Sequence, residues 1–242
     1  MMMISNRWLL HKTFHSAVLA IFALTTTLFL TQNALATYRP PSDQKAPKGY
    51  TDSSGIRGRC DSFGNSSLAL LAPSVHVGQT TSSHPTFAWY VASRQKLPVE
   101  FTIYKLEPNE QLNLVYRLEL YSFPGITKIS LPLQKPGLTI GQRYLWQVEV
   151  LCNRNRPSHN LVAAAEIETV AIPARLKNML SHQQDRLQRA KLYAEAGIWY
   201  DALGEALAGN NQGKLGLVAA SLLQDLASLE KLPQQGISWN LP

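Results

Sequence analysis

The sequence predicts an α+β protein: an antiparallel β-sandwich comes first and a small helical unit follows. Two observations carry this. Between Leu68 and Ile172, apolar and polar residues alternate in short runs separated by Pro and Gly turns, the period of half-buried strands. After Pro173 the apolar spacing lengthens to three and four residues, the period of amphipathic helices. Composition permits both parts. The 242 residues are 45% hydrophobic and 16% charged, which excludes collagen-like, coiled-coil and wholly disordered chains.

The first element is an export signal over residues 1–36. Arg7 and Lys12 form its positive end, Ala17 to Leu30 an apolar run broken by Thr25, Thr26 and Thr27, and Ala34-Leu35-Ala36 a cleavage pattern. That run falls short of the roughly 20 apolar residues needed to span a bilayer, and no later stretch is apolar enough, so no transmembrane segment is expected after cleavage. Residues 37–59 carry Pro40, Pro41, Pro47, Gly49, Gly55 and Gly58, with Ile56 the only branched aliphatic residue. Too little apolar surface is available to offset ordering entropy, and the segment reads as a flexible basic leader.

The sandwich is expected over residues 60–172. Leu68 to Leu71 opens it, and Pro73 with Gly78 marks a turn. Phe87, Trp89 and Val91 alternate onto one face, as do Val99, Phe101 and Ile103. Leu112, Leu114, Tyr116, Leu118 and Leu120 continue the pattern, then Ile129 with Leu131 after Pro124-Gly125. Tyr144, Trp146, Val148, Val150 and Cys152 share one side of a further strand, which turns Cys152 inward. In an oxidising compartment Cys60 and Cys152 are expected to pair, and a loop of that length is worth roughly 4 to 5 kcal/mol in the chain-entropy model. Two free buried thiols are the alternative. The run Leu138 to Tyr144 is similar to the tyrosine-corner signal of immunoglobulin-like and fibronectin-like sandwiches. An open barrel and a jelly roll stay open as alternatives.

The helical unit, packed on the sandwich, is expected over residues 173–232, leaving 233–242 as a tail. Leu176, Leu180, Leu187, Ala190 and Ala194 form one stripe after Pro173, interrupted by Gln183. Gly197 ends that helix. A second runs from Ile198 to Ala208 with Ala202, Leu203 and Ala206 inward, and a third carries Leu215, Val218, Leu222, Leu226 and Leu229 to a stop before Pro233.

Tyr193 to Ala202 is similar to the helix-turn-helix core of a single tetratricopeptide repeat, with no second copy at the period of an array. More broadly, Arg57-Gly58-x-Cys60, Leu70-x-x-Pro73, His84-Pro85-Thr86-Phe87, Arg143-Tyr144-x-Trp146 before Cys152, and Ala196 to Leu203 resemble a cyanobacterial family of exported proteins defined only as a domain of unknown function. That resemblance implies export and the two-part layout, and brings no catalytic residue with it.

Chemical motifs are sparse. The basic excess of 23 Lys and Arg over 16 Asp and Glu is scattered, so no nucleic-acid partner is expected. None of His76, His84, His159 and His182 sits in a nucleophile elbow or a metal-binding helix motif. His84 reads as a turn residue at a strand entrance. Asn153 to Asn160 is a polar loop between the last two strands, where Arg154, Arg156 and His159 form a candidate contact for a carboxylate or phosphate; a solvated connection is the alternative. Glu166 and Glu168 share a strand face expected to meet water. Trp199 and Tyr200 suit either an aromatic shelf for a sugar or peptide, or bolts fastening the helices to the sandwich, and the second is preferred. Asp201 stands among apolar neighbours, with a structural role preferred.

These features point to a periplasmic or secreted, non-catalytic binding or scaffolding module of the cell envelope. No cofactor or metal is expected, and the partner is an envelope protein or polysaccharide. One alternative is a cell-wall or polysaccharide hydrolase with acids at the sandwich–helix junction. The other is a peripheral anchor that uses the basic leader on anionic envelope surfaces.

Overall fold

Apolar alternation shapes a computed structural model that describes residues 37–48, 60, 67–93, 95–153, 155–210 and 213–230. The export signal, the second half of the leader, Arg154 and the tail lie outside the described residues. Strands β1 (Ser67–Leu70), β3 (Thr86–Ala92) and β6 (Gly125–Ser130) form one sheet in the order β1-β3-β6. Strands β2 (Gly78–Thr80), β4 (Leu97–Leu106), β5 (Leu112–Ser122), β7 (Arg143–Val150) and β8 (Leu161–Thr169) form a second, ordered β2-β8-β7-β4-β5. Among the described residues, four α-helices follow: α1 (Ala174–Ser181), α2 (Arg186–Glu195), α3 (Trp199–Leu207) and α4 (Leu217–Leu229). Strands and helices belong to one compact unit that begins at residue 36.

The inward residues of both sheets share one core. Phe87, Trp89 and Val91 from the first sheet meet Phe101, Trp146 and Ile167 from the second, all buried. Tilted aromatic contacts join them, Phe87 to Phe101 and to Trp146 at 5.1 Å each. The hydrogen bond that the tyrosine-corner signal leads one to expect is present: the Tyr144 hydroxyl accepts from the Thr139 N–H at 2.9 Å. Cys60 and Cys152 form a disulfide, with Cα atoms 5.2 Å apart.

Several expectations need correction. The second sheet is mixed, because β2 runs parallel to β8. Its three residues, Gly-Gln-Thr, have no apolar alternation to announce them, and backbone pairing alone reveals the strand. The apolar stripe of β5 does not stay on one face. A bulge between the pairs Ile103–Tyr116 and Tyr104–Leu114 sends Leu112 and Leu114 to the outer side, where both are exposed. The stripe after Pro173 is two helices, interrupted at His182–Asp185; Asp185 caps α2 by accepting from the Gln188 N–H at 2.8 Å. Leu187 faces solvent as a result.

The leader, read as flexible, is packed along its described first half. Tyr38 is buried, edge-on to Trp199 at 4.8 Å, and its hydroxyl meets His76 Nε2 at 2.8 Å. The Tyr38 N–H donates to Asp225 and the Arg39 N–H to the Ala194 carbonyl. One buried aromatic and a few backbone bonds therefore hold residues 37–48 as a strap. Pro41 lies so close to Gly197 that a Cβ there would stand 3.0 Å from it, and Gly197 has φ +80°. Glycine at this helix end answers both demands.

Candidate functional site

Glu166 and Glu168, expected to face water, lie buried beneath the strap. Glu168 pairs with the Lys45 ammonium at 2.5 Å. Glu166 accepts from the Lys48 N–H at 2.5 Å, and its other oxygen forms an ion pair at 2.8 Å with the guanidinium of Arg143, which donates to the Ala46 carbonyl. Two carboxylates on one strand face are thus compensated by the strap and by Arg143. This commits Lys45, a basic group on which the anchor alternative depends.

Trp199 and Tyr200 are fully buried. The Trp199 indole N–H donates to the Leu71 carbonyl at 2.9 Å, and the Trp146 indole N–H donates to the Tyr200 hydroxyl at 2.7 Å. Burial holds the Tyr200 phenol protonated, well above its ordinary range, and outweighs the opposing pull of the Trp146 donor. These rings act as bolts between α3 and the strands. Gly78 is what admits Tyr200, since a Cβ there would lie 2.6 Å from its ring.

Asp201 follows in the first turn of α3 and opens onto a cleft of about 560 Å³ between α2, α3 and the strand pair β3–β6. Its carboxylate accepts three bonds: from Thr80 Oγ1 at 2.6 Å, Thr81 N–H at 3.0 Å and Thr81 Oγ1 at 2.7 Å. Burial raises its pKa above the ordinary aspartate value, while the threonine donors act against that rise. Glu205, one turn along the same helix face, pairs with Arg189 at 2.6 Å. Burial, and then the nearby Asp201, raise the Tyr193 phenol.

Across the cleft, the Lys128 ammonium donates to the Leu207 and Asn210 carbonyls. It closes the C-terminal end of α3, where free carbonyls favour a cation. The His84 ring spans Ser83 Oγ at 2.9 Å and the Lys135 carbonyl at 3.1 Å. A carbonyl only accepts, so Nε2 carries the proton and Nδ1 accepts from Ser83. His84 thereby ties two loops together, in keeping with its reading as a turn residue.

Of the sequence-derived candidates, the cleft gathers Tyr200 and Asp201 and leaves out Trp199, Arg156 and His159. Arg156 is exposed and His159 half-buried in the β7–β8 loop. Asn160 cross-braces that loop by accepting from the Cys152 N–H at 2.9 Å and donating to Glu149 at 2.7 Å. Sequence reasoning missed Thr80, Thr81, Arg186, Tyr193 and Glu205. Thr80 and Thr81 show in the sequence as a hydroxyl pair just after Gly78, and Tyr193 only as the start of the repeat-like hairpin. Among the described residues, no group of three or more His, Cys, Asp and Glu side chains is placed to hold a metal. No described helix is long and apolar enough to cross a membrane.

The model of the Domain of Unknown Function family DUF928 matches residues 52–235. The chain belongs to the DUF928 family. The match spans both sheets, all four helices and every residue of the cleft. Among solved structures, this DUF928 chain is similar to the sensor domain of the anti-sigma factor RsgI4 from Pseudobacteroides cellulosolvens. The identity is 13% and the TM-score 0.26, over 44% of this chain and 96% of that one. No curated protein matches it.

Proposed function

We propose that this chain is a non-catalytic binding module of the cell envelope, exported to a periplasmic or secreted location, whose ligand sits in the Asp201 cleft. The observation that carries the reading is the state of the two acids in that cleft. Asp201 is held by three donors and Glu205 by Arg189, so both serve as fixed framework. The remaining lining includes the hydroxyls of Ser82, Thr86, Ser130 and Tyr193 and the exposed residue Arg186. Such a surface suits a hydroxylated ligand bearing negative charge, and an acidic envelope polysaccharide has that chemistry.

The envelope setting rests on the export pattern of residues 1–36 and on a disulfide that suits an oxidising compartment. An immunoglobulin-like identity for the paired sheets draws support from buried Trp89 and the Tyr144 corner bond. In this reading the α2–α3 pair, similar to a single tetratricopeptide unit, supplies one wall of the cleft.

Calorimetric titration with acidic oligosaccharides, beside neutral ones of equal length, tests the proposal. Saturable binding of the acidic set is expected, weakened at least about tenfold by Arg186→Ala, which removes a charge-assisted contact. Undiminished affinity in that variant would remove the cleft as the site. One observation favours a second reading, a polysaccharide hydrolase: burial raises the Asp201 carboxyl in a cleft that also holds Glu205. That reading requires reducing ends to be released from the bound polysaccharide, and their release to cease in Asp201→Asn. Binding without release rejects it.

A further inference from the structure

The second sheet ends at β5, whose far edge has no strand partner among the described residues. Edge strands are usually blunted by Lys, Pro, a bulge or brevity. This one has eleven residues and neither Lys nor Pro, and its bulge stands before Tyr116, outside the run from Tyr116 to Ser122 whose register is unbroken. Leu114 is 52% exposed and Tyr121 63%. On the inner face, Tyr116 and Leu120 are only half-buried against the core, with Leu118 between them.

Charge on the outer face is unbalanced at the same place. Register sets Glu149 opposite Glu100 and Glu100 opposite Glu119. Like charges directly across strands repel. Arg117 Nε lies 3.5 Å from Glu100 and Asn160 donates to Glu149. Glu119, the last of the row, has no cation within ion-pair distance among the described residues.

We propose that two copies of this chain pair antiparallel through β5 about a two-fold axis at Leu118, joining their sheets into one. The β5 sequence is self-complementary in that register. Arg117 falls opposite the partner's Glu119, and Glu119 opposite the partner's Arg117, which supplies the missing cation twice over. Tyr116 falls opposite the partner's Leu120, and Leu118 meets its own copy, which covers the half-buried inner row. Such an isologous contact closes on itself and leaves neither edge open.

Sedimentation of the full chain tests this, with a dimer expected over about 1 to 100 µM, a range that separates mass-action dimers from monomers. Arg117→Glu and Glu119→Arg, each alone, place like charges together and raise the dimer dissociation constant at least about tenfold, by roughly 1.4 kcal/mol or more. The double reversal restores it. Leu118→Cys at the axis forms an intermolecular disulfide on oxidation, whereas Leu112→Cys, far from the axis, does not. The cysteine pair decides the matter if a charge variant fails to fold. Four results overturn the proposal: a monomer throughout, an open-ended polymer, a dimer indifferent to both single reversals, or equal crosslinking at positions 112 and 118.

Discussion

Lowering the pH through the range in which free histidine titrates should destabilise this protein by way of His76. The ring is 2% exposed, stacked with Tyr38, and bonded to its hydroxyl at 2.8 Å. Burial lowers its pKa from 6.5 to about 4. Below pH 6.5 the unfolded chain therefore binds a proton that the folded chain refuses. Stability is complete above that pH and declines as pH falls toward 4, where the loss levels off. A tenfold change in proton affinity corresponds to about 1.4 kcal/mol, so a fall from 6.5 to about 4 amounts to about 3 kcal/mol. Urea melts of the wild type and of His76→Gln, at pH 7.5, 6, 5 and 4, isolate this contribution, because carboxylates common to both proteins cancel in the difference. Gln can still share a hydrogen bond with the Tyr38 hydroxyl. The wild type should lose about 3 kcal/mol relative to the variant across that range. Parallel pH profiles for the two proteins would refute the burial argument.

Further perturbations have calculable outcomes. Replacing both Cys60 and Cys152 by Ser frees a loop with a separation of 92 residues and should lower the unfolding free energy by about 4 kcal/mol, read from urea melts. Glu166→Gln keeps the shape but strips the charge facing Arg143 and should cost about 3 kcal/mol. Faster tryptic cleavage at Lys45 and Lys48 would report the loosened strap, and an unchanged rate would count against its dependence on Glu166. Gly78→Ala drives a methyl to 2.6 Å from the Tyr200 ring. It should cost about 1 to 3 kcal/mol by overpacking, visible as a lowered Tm, and a neutral result would mean that α3 shifts freely.

Much of the strand pattern was legible because burial alternates with the pleat. Phe87, Trp89, Val91, Val99, Phe101 and Ile103 all point inward as their spacing predicts. The tyrosine-corner signal was legible for a similar reason, since Tyr144 reaches only a few residues upstream. Expectations failed where a residue's partner lay far along the chain. Glu166 and Glu168 read as solvent-facing, because nothing near them in sequence shows that Lys45 and Lys48, more than a hundred residues earlier, lie across them. The leader read as flexible because its single anchoring aromatic, Tyr38, finds its pocket among His76, Trp199 and Asp225. The bulge in β5 escaped notice because an inserted residue leaves no mark in composition, yet it reverses the face of every residue beyond it.

By itself, the sequence determined the period of each segment, the faces that turn inward, the even pair of cysteines and the point near Pro173 where strands yield to helices. These depend on local sterics and on the removal of apolar surface from water, which neighbouring residues decide among themselves. Only the tertiary structure decided that β2 lies parallel to β8, that the strap and Arg143 together compensate a buried carboxylate pair, and that Asp201 meets Thr80 and Thr81 at the rim of a cleft. Hydrogen bonds and ion pairs act over a few ångströms and take whatever partner the packed chain brings within reach, so their pairing emerges only once distant segments have been brought together.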